Sequence, residues 1–509
     1  MVNAERLALS NPWWTKGQIF VNWDPDLLKD AYESFIVKRL TPGLERNKIY
    51  IIKGPRRSGK TTWLKRIVES NLKSGAVDKR AILYFSFDES VSQKEFSNLV
   101  RQFLETPLAP DLKFLLLDEI QGVIGWEEVL KNLFDSGLLK NVVTVVTGSI
   151  AHLLKTDTLP GRGTEGNIYL IKTLNFSDVV KTLLQNDKSH PIRGYTKTAA
   201  WINQPLLDTE VDELRNKIEE NAIDLSEDIK DIYKKINNLF PFLPLINKLF
   251  LIYLHTGGYP LSINDYFKNE GNKKFGEIED SVYNEIYLYL KNDAAMISGK
   301  ALGDPSYAAK VIEANLKYLG IKTSFSKASR QIGMNKTTFM NYSNRLENSY
   351  AFINLNGLKR GIEPTETKKT FFSDIFMHYS AKAASTGKSG QVITDEILNS
   401  SEVGVIVEEA VAAHLSKIRE IEPMVMYNTY LGFYYENEEI DFVYKSTNGK
   451  ILGVEVKYQN EVSTQDVKKS KGIHQYIIVT KNTFDLIDDV LFIPAPLFLL
   501  LLKKSSHDL

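Results

Sequence analysis

The chain has 509 residues, of which 43% are hydrophobic, 11% aromatic and 25% charged, and it contains no cysteine. This composition excludes a disordered or fibrous protein, and the lack of cysteine excludes disulfides, thiol catalysis and cysteine-based zinc sites. A formal net charge of zero argues against a uniformly basic nucleic-acid binder, so any nucleic-acid site must be regional.

The first predicted unit is an α/β core from Lys48 to about Tyr169. Short, continuously apolar runs alternate there with helix-like segments, which is the pattern of a parallel sheet covered on both faces. The predicted strands are Ile49 to Ile52, Ala81 to Ser86, Phe114 to Leu117 and Val142 to Val146.

Helical, basic and mixed segments follow this core. Residues 176–292 are mostly helical, residues 300–369 are rich in lysine and arginine, and strand-like runs return after Phe371. The later strands are predicted at Phe442 to Tyr444, Ile451 to Lys457 and Tyr476 to Val479. We expect an α/β multidomain protein with five segments, at residues 1–45, 46–175, 176–299, 300–370 and 371–509.

The location of the protein is predicted from two observations. The first residues, from Met1 to Trp14, lack the charged and apolar regions of a signal peptide. The most apolar run, Val490 to Leu502, contains two prolines and is shorter than the roughly 20 residues of a spanning helix. It predicts a buried strand and helix. We therefore expect a cytoplasmic protein without membrane contact.

A phosphate-binding loop follows the first predicted strand. The pattern G-x-x-x-x-G-K-[ST] lies between that strand and a helical run from Thr62 to Ser70. Its backbone N–H groups and helix N-terminus favour phosphate, Lys60 would reach the β- and γ-phosphates, and Thr61 would ligate Mg²⁺. The predicted ATP-binding residues are Gly54, Pro55, Arg56, Arg57, Ser58, Gly59, Lys60, Thr61 and Thr62.

An acidic pair completes the predicted ATPase site. Asp118 and Glu119 end the strand Phe114 to Leu117. Asp118 is predicted to hold Mg²⁺ through its water shell, and Glu119 to orient or deprotonate the attacking water. Downstream of a P-loop, this pair predicts ATP hydrolysis.

Two further elements are candidates for contact with the γ-phosphate. Thr147 and Ser149 follow the strand Val142 to Val146, and either hydroxyl would lie near that phosphate unless the segment is only a turn. Arg162, between two glycines, is predicted to meet the γ-phosphate of its own or a neighbouring subunit, and the alternative is a surface arginine.

The basic segment contains a helix-turn-helix rhythm from Phe325 to Leu355. Its apolar positions are typical of two packed helices with a turn at Gly333. The outward polar residues predicted to contact DNA are Lys336, Thr337, Asn341 and Arg345. The alternative is a module used only for packing or subunit contact.

The C-terminal segment carries a second acidic site. Asp441 begins one predicted strand, and Glu455 and Lys457 lie on the same face of the next. Carboxylates that bind Mg²⁺ or Mn²⁺ beside a lysine suit phosphodiester hydrolysis, and Glu408 is a candidate third carboxylate. The alternative is a charged hairpin without catalysis.

The motifs together resemble a known group of proteins. They are Asn11-Pro-Trp-Trp14, the P-loop, the Leu115 to Gln121 run with Trp126, the Thr147 to Ser149 turn, the Leu159 to Arg162 segment, and Gly257-Gly-Tyr-Pro260. Their order resembles archaeal and bacterial AAA-type ATPases with a restriction-nuclease-like C-terminal domain. The resemblance implies an AAA-like core, a helical lid, a winged helix and the C-terminal domain.

The C-terminal acids are similar to those of PD-(D/E)XK nucleases, with Ile440-Asp441 in place of Pro-Asp and the E-x-K element intact. We therefore expect a Mg²⁺-dependent ATPase that binds DNA, cleaves it with a metal ion and works as a homo-oligomer. One alternative is a DNA-binding remodeller whose nuclease-like domain is inactive. Another is an ATP-dependent switch that scaffolds protein partners.

Overall fold

The computed structural model contains a five-stranded sheet, an eight-stranded sheet and a two-stranded ribbon. It describes residues 4–17, 24–25, 27, 37, 39, 41–88, 91–106, 112–149, 159, 167–184, 208–268, 273–274, 276–297, 301–359, 363–419, 426–436, 438–463, 465, 467, 470, 472–506 and 509.

The five-stranded sheet forms the N-terminal core. Its strands are β1 (Lys48–Lys53), β2 (Ile82–Ser86), β3 (Lys113–Asp118), β4 (Val142–Gly148) and β5 (Ile168–Leu170). They are all parallel, in the order β2-β3-β4-β1-β5. The predicted strands of this core are confirmed. The order places β4 between β1 and β3, so the predicted P-loop and acidic pair lie at the same edge of the sheet.

Helices cover both faces of this sheet. They are α1 (Ala4–Ser10), α2 (Trp13–Lys16), α3 (Lys60–Ser74), α4 (Gln93–Glu105) and α5 (Trp126–Asp135). The next helix, α6 (Phe176–Leu183), packs instead with the later segments of the chain. Successive strand residues point to opposite faces. Ile49 and Ile51 therefore pack in one apolar cluster with α4 and α5, whereas Tyr50 and Ile52 pack in another with α3. This double burial explains why the strands are continuously apolar.

Helices dominate the middle of the chain. They are α7 (Asp208–Glu220), α8 (Ile229–Asn237), α9 (Leu243–Thr256), α10 (Pro260–Phe267), α11 (Asp280–Ala295), α12 (Pro305–Lys317), α13 (Phe325–Gln331) and α14 (Lys336–Asn348). The two-stranded ribbon, β6 (Met296–Ile297) with β7 (Ala301–Leu302), follows α11. Gly333, with φ 63°, lies in the turn between α13 and α14, where a left-handed backbone favours glycine.

The eight-stranded sheet forms the C-terminal part. Its strands are β8 (Phe352–Lys359), β9 (Glu363–Phe372), β10 (Leu431–Tyr434), β11 (Ile440–Lys445), β12 (Ile451–Lys457), β13 (Gln475–Thr480), β14 (Asp485–Ile487) and β15 (Val490–Pro494). Its helices are α15 (Ile375–Thr386), α16 (Gly390–Leu398), α17 (Val403–Leu415) and α18 (Ala495–Leu501). The order is β14-β15-β13-β12-β11-β10-β8-β9.

The helix-turn-helix segment and the C-terminal sheet are continuous. The hairpin β8–β9, which follows α14, joins the C-terminal sheet because β8 pairs in parallel with β10. The boundary expected between Thr370 and Phe371 therefore lies inside β9. One apolar cluster runs from α6 to α18 and contains residues of all three segments expected after residue 175.

The apolar run near the C-terminus is a strand followed by a helix, β15 and α18, as the sequence predicts. Within the described ranges, no single helix combines the length and apolarity needed to cross a membrane. One bent pair, Ile229–Asn237 with Phe240–Thr256, meets that test by length and composition alone.

Candidate ATP site and acidic cluster

The P-loop connects β1 to α3 in a backbone conformation that two glycines allow. Gly59 has φ 98°, in the left-handed region that favours glycine. A Cβ on Gly54 would lie 2.0 Å from the carbonyl oxygen of Ile171, so only glycine fits against that backbone. Both glycines of the sequence pattern are thus required by the local structure.

The side chain of Lys60 folds back onto the first residues of this loop. Its Nζ donates hydrogen bonds to the carbonyl oxygens of Gly54, at 2.9 Å, and Pro55, at 2.8 Å. Burial lowers the pKa of Lys60, while the carboxylates of Glu119 and Asp118 act in the opposite direction. The predicted phosphate-binding lysine is therefore held inside the loop and faces the acidic pair.

Asp118 is the centre of a buried hydroxyl cluster. The Thr61 hydroxyl donates to its Oδ2 at 2.7 Å, and the Tyr84 hydroxyl donates to the same oxygen at 3.0 Å. Thr147 donates to the other carboxylate oxygen. Burial and the neighbouring Glu119 raise the pKa of Asp118. Thr61 and Asp118, both predicted to serve Mg²⁺, are oxygen donors in direct contact, which fits the ligand preference of that ion.

Glu119 has an uncommon backbone conformation. Its φ is 50°, in the left-handed region that few non-glycine residues adopt outside functional sites. Ser149 donates to its Oε2 at 3.1 Å, and Gln121 donates to the same oxygen. The predicted water-activating carboxylate is thus fixed by two side chains, of which Gln121 was not predicted.

A cavity of about 520 Å³ opens above these residues, within the usual range for small-molecule sites. One side is formed by the P-loop and the acidic pair. The other side belongs to the helical middle of the chain, through Pro260, Leu261, Asn264 and Tyr289. The candidate ATP site is therefore shared between two parts of the chain that are distant in sequence.

Two P-loop arginines contact α11. Nε of Arg56 lies 2.9 Å from Oδ1 of Asp293. Arg57 forms an ion pair with Glu285 and donates a hydrogen bond to the Tyr289 hydroxyl at 3.1 Å. None of the three partners was predicted, because no local pattern connects α11 to the P-loop.

The C-terminal acids converge on a lysine that was not predicted. Nζ of Lys369, on β9, lies 2.9 Å from Glu439 Oε1, 3.1 Å from Asp441 Oδ1 and 3.6 Å from Glu408 Oε1. The lysine side chain is only 2% exposed. We call Lys369, Glu408, Glu439 and Asp441 the acidic cluster. Burial and the charge of Asp441 raise the pKa of Glu408 to about 8.

Glu455 and Lys457 adjoin the acidic cluster on β12. The Asp441 Oδ2 atom accepts a hydrogen bond from the backbone N–H of Val456 at 3.0 Å, between those two residues. Nζ of Lys457 lies 3.3 Å from Oε2 of the buried Glu455. Of the four predicted residues, Glu408 and Asp441 thus share Lys369, and Glu455 and Lys457 form a separate ion pair on the strand next to Asp441. Among the described residues, however, no three acidic or histidine side chains are placed to hold a metal ion.

The predicted DNA-contacting residues differ in exposure. Lys336, Thr337 and Asn341 are exposed on α14. Arg345 is half-buried, its guanidinium lies 5.0 Å from the centre of the Tyr342 ring, and it donates to the Ala294 carbonyl at 3.5 Å. Arg345 therefore packs toward α11. The remaining phosphate candidate, Arg162, lies outside the described residues.

The fold and the N-terminal site define a class of protein. A P-loop between β1 and α3, an acidic pair at the end of β3 and an intervening parallel strand are the parts of a P-loop ATPase. The family model described as an AAA domain matches residues 46–180. These residues are an AAA-type P-loop ATPase domain, and such a domain uses ATP and Mg²⁺.

The rest of the chain matches two further family models. The model described as "Domain of unknown function (DUF8612)" matches residues 247–387, which include Asp293 and Lys369. "Domain of unknown function (DUF4143)" matches residues 403–498, which include Glu408, Asp441 and Glu455. The acidic cluster is therefore assembled from both matched regions.

Relatives occur in an archaeon and a bacterium. Uncharacterized protein MJ1637 of Methanocaldococcus jannaschii is 22% identical over 495 residues, which cover 94% of this chain and 89% of that protein. MJ1544 of the same organism is 31% identical over 164 residues, covering 31% of this chain and 34% of that protein. An uncharacterized protein of Haemophilus influenzae is 26% identical over 337 residues, which cover 62% of this chain and 75% of that protein.

Among solved structures, a DNA polymerase III gamma subunit-related protein of Thermotoga maritima aligns with 60% of this chain and 96% of its own, at 11% identity and a TM-score of 0.22.

Proposed function

We propose that this chain is a Mg²⁺-dependent ATPase that binds DNA through residues 305–372 and cleaves it at a metal-dependent site beside the acidic cluster. The observation that carries this proposal is the position of Asp441, which shares Lys369 with Glu408 and accepts a hydrogen bond from the backbone N–H of Val456, between Glu455 and Lys457. Carboxylates beside a lysine have the chemistry that phosphodiester hydrolysis requires.

The acidic cluster supports this proposal by its charge. Lys369 already holds a positive charge among Glu408, Glu439 and Asp441, so the site accommodates a buried cation. A Mg²⁺ or Mn²⁺ ion held by Glu408, Asp441 and Glu455 would supply an activated water, although these three carboxylates are not placed to hold a metal ion in this structure. Lys457, half-buried beside Glu455, would offset negative charge that develops on the attacked phosphate.

The surface of the helix-turn-helix segment supports DNA as the substrate. Exposed Lys327, Arg330 and Lys336 lie on α13 and α14, and cations of this kind neutralise backbone phosphates. The residues just before this segment lie against the acidic cluster, since a Cβ on Gly320 would be 3.4 Å from Glu408 Oε2. DNA held by this segment would therefore be close to the proposed cleavage site.

The test is a cleavage assay with single-stranded, duplex and branched DNA, in Mg²⁺ or Mn²⁺, with ATP, without it, or with a non-hydrolysable analogue. Asp441→Asn and Lys457→Ala should each lower the cleavage rate about 100-fold or more while basal ATP turnover continues. Asp485→Asn, at an exposed position of β14, is the matched control and should cleave like wild type.

The outcomes separate this proposal from its alternatives. If wild type cuts no DNA, or if Asp441→Asn cuts at the wild-type rate, the cleavage proposal is wrong. DNA binding that stimulates ATP turnover without cleavage would favour the remodeller. If the protein neither binds nor cleaves DNA, the result would favour the switch that scaffolds protein partners. We also propose a homo-oligomer, in which Arg162 serves the site of a neighbouring subunit.

A further inference from the structure

The contact between the P-loop and α11 has an unusual composition. Arg56 and Arg57 are adjacent cations in the loop, and their guanidinium carbons lie 5.7 and 5.5 Å from the centre of the Tyr289 ring. Arg57 is anchored by Glu285 and by the Tyr289 hydroxyl. Arg56 has a different partner, the carboxylate of Asp293 near the end of α11.

The Arg56–Asp293 pair joins a partly exposed arginine to a buried carboxylate. Asp293 is only 4% exposed, whereas the Arg56 side chain is 32% exposed. Asp293 fixes the guanidinium through Nε, at 2.9 Å. Because a guanidinium carries five N–H donors, an arginine that is fixed through Nε can still donate from its terminal nitrogens to a ligand.

The position of Arg56 identifies the ligand. Arg56 lines the same cavity as Lys60, Thr61 and Glu119, and it lies in the part of the loop between Gly54 and Gly59 that surrounds phosphate. A guanidinium presents several N–H donors in a fixed plane, which matches the oxygens of a terminal phosphate. An arginine in such a place stabilises the charge that develops on that phosphate during hydrolysis.

We propose that Arg56 donates hydrogen bonds to the terminal phosphate of ATP bound to the same chain, and that Asp293 positions it for this contact. Arg56 is then a catalytic residue and Asp293 is a positioning residue. The middle region of the chain thereby contributes to ATP hydrolysis. This inference rests on the ATPase domain and is independent of any action on DNA.

Nucleotide selectivity and turnover test the role of Arg56. Arg56→Ala should lower kcat about 100-fold, the usual effect of removing one donor to a transition state. The same change should lower the affinity for a non-hydrolysable ATP analogue about tenfold, which corresponds to about 1.4 kcal/mol, and leave the affinity for ADP nearly unchanged. Arg56→Lys, which keeps the charge, should recover part of the rate.

A double variant tests the role of Asp293. Asp293→Asn should lower kcat with little change in KM. The double variant Arg56→Ala with Asp293→Asn should be no slower than Arg56→Ala alone, because both changes remove the same contact with the phosphate. The matched control is Asp265→Asn, which removes another buried carboxylate, 2.7 Å from Lys273, from the same region. It should hydrolyse ATP like wild type.

Three results would overturn the proposal. They are a wild-type rate for Arg56→Ala, an equal loss of affinity for ADP and the ATP analogue, and additive effects in the double variant. The charge-conserving Arg56→Lys and the isosteric Asp293→Asn changes keep the test usable if Arg56→Ala does not fold. A rate loss in Asp265→Asn equal to that of Asp293→Asn would likewise assign Asp293 to stability alone.

Discussion

Replacing Lys369 by methionine should destabilise the C-terminal sheet by about 3–5 kcal/mol, the usual cost of removing one partner from a buried ion pair. The magnitude follows from the geometry. Its ammonium is within 2.9–3.6 Å of three carboxylates, and the side chain is 2% exposed. Methionine fills a similar volume, so the loss reports the missing charge rather than a cavity.

Calorimetry and urea unfolding would measure this loss. For a unit of this size, 3–5 kcal/mol corresponds to a fall in Tm of about 10 °C. Adding Mn²⁺ or Mg²⁺ should restore part of the difference, because a divalent ion can neutralise the same carboxylates. The control is Lys382→Met, which removes a partly exposed partner of Glu402 and should cost less than about 1 kcal/mol.

The reasoning about the acidic cluster would be refuted if Lys369→Met unfolded with the same midpoint as wild type. It would also fail if Lys382→Met caused an equal loss. A destabilised Lys369→Met variant that divalent ions do not stabilise would assign the cluster to structure alone, and the proposed metal site would then be wrong.

Four further predictions concern other parts of the chain. Glu119→Gln should keep ATP binding but lower turnover about 10²- to 10⁴-fold, as measured by phosphate release. Lys336→Ala should weaken DNA binding and reduce the slope of log affinity against log salt by about 0.9, as measured by fluorescence anisotropy at several salt concentrations. Mixing Arg162→Ala subunits into wild type should lower ATP turnover more than in proportion to their fraction if Arg162 acts across a subunit interface. Burial lowers the pKa of His414 to about 3 from 6.5, so between those pH values the unfolded chain binds a proton that the folded chain does not. The free energy of unfolding should therefore rise with pH across this window by about 1.4 kcal/mol per pH unit. In urea unfolding at several pH values, His414→Gln should reduce this dependence on pH.

The N-terminal site was predictable because its signals are local. The P-loop pattern, an apolar strand and the acidic pair each occupy a few consecutive residues, and a parallel sheet brings their ends to one edge. The contact between Thr61 and Asp118 follows from that arrangement. Tyr84 could not be assigned in the same way, because its role depends on β2 lying next to β3.

The acidic cluster was predictable only in part. Asp441, Glu455 and Lys457 belong to two strands joined by a short turn, so their proximity follows from the sequence. Lys369 contacts Asp441 from β9, an edge strand of the same sheet, although the two residues are 72 positions apart in the sequence. Lys369 lies between Lys368 and Thr370 in a polar stretch of β9, so no local pattern indicated that its side chain is buried among opposite charges.

Buried contacts connect the part of the chain around the P-loop with the part that carries the acidic cluster. Gly258 accepts a hydrogen bond from the backbone N–H of Leu174 and donates one to Asp374, each at 2.9 Å. A Cβ on Gly258 would lie 2.1 Å from the Leu174 carbonyl oxygen, so the two segments are in direct backbone contact. Asp374 is the N-cap of α15, immediately after the strand that carries Lys369. Because a close-packed interior shifts between discrete arrangements rather than deforming continuously, a displacement of Gly258 would either move Asp374 or break the bond between them. Breaking this bond would remove one hydrogen bond from a buried carboxylate, which would keep the bond that its Oδ1 accepts from the backbone N–H of Phe376.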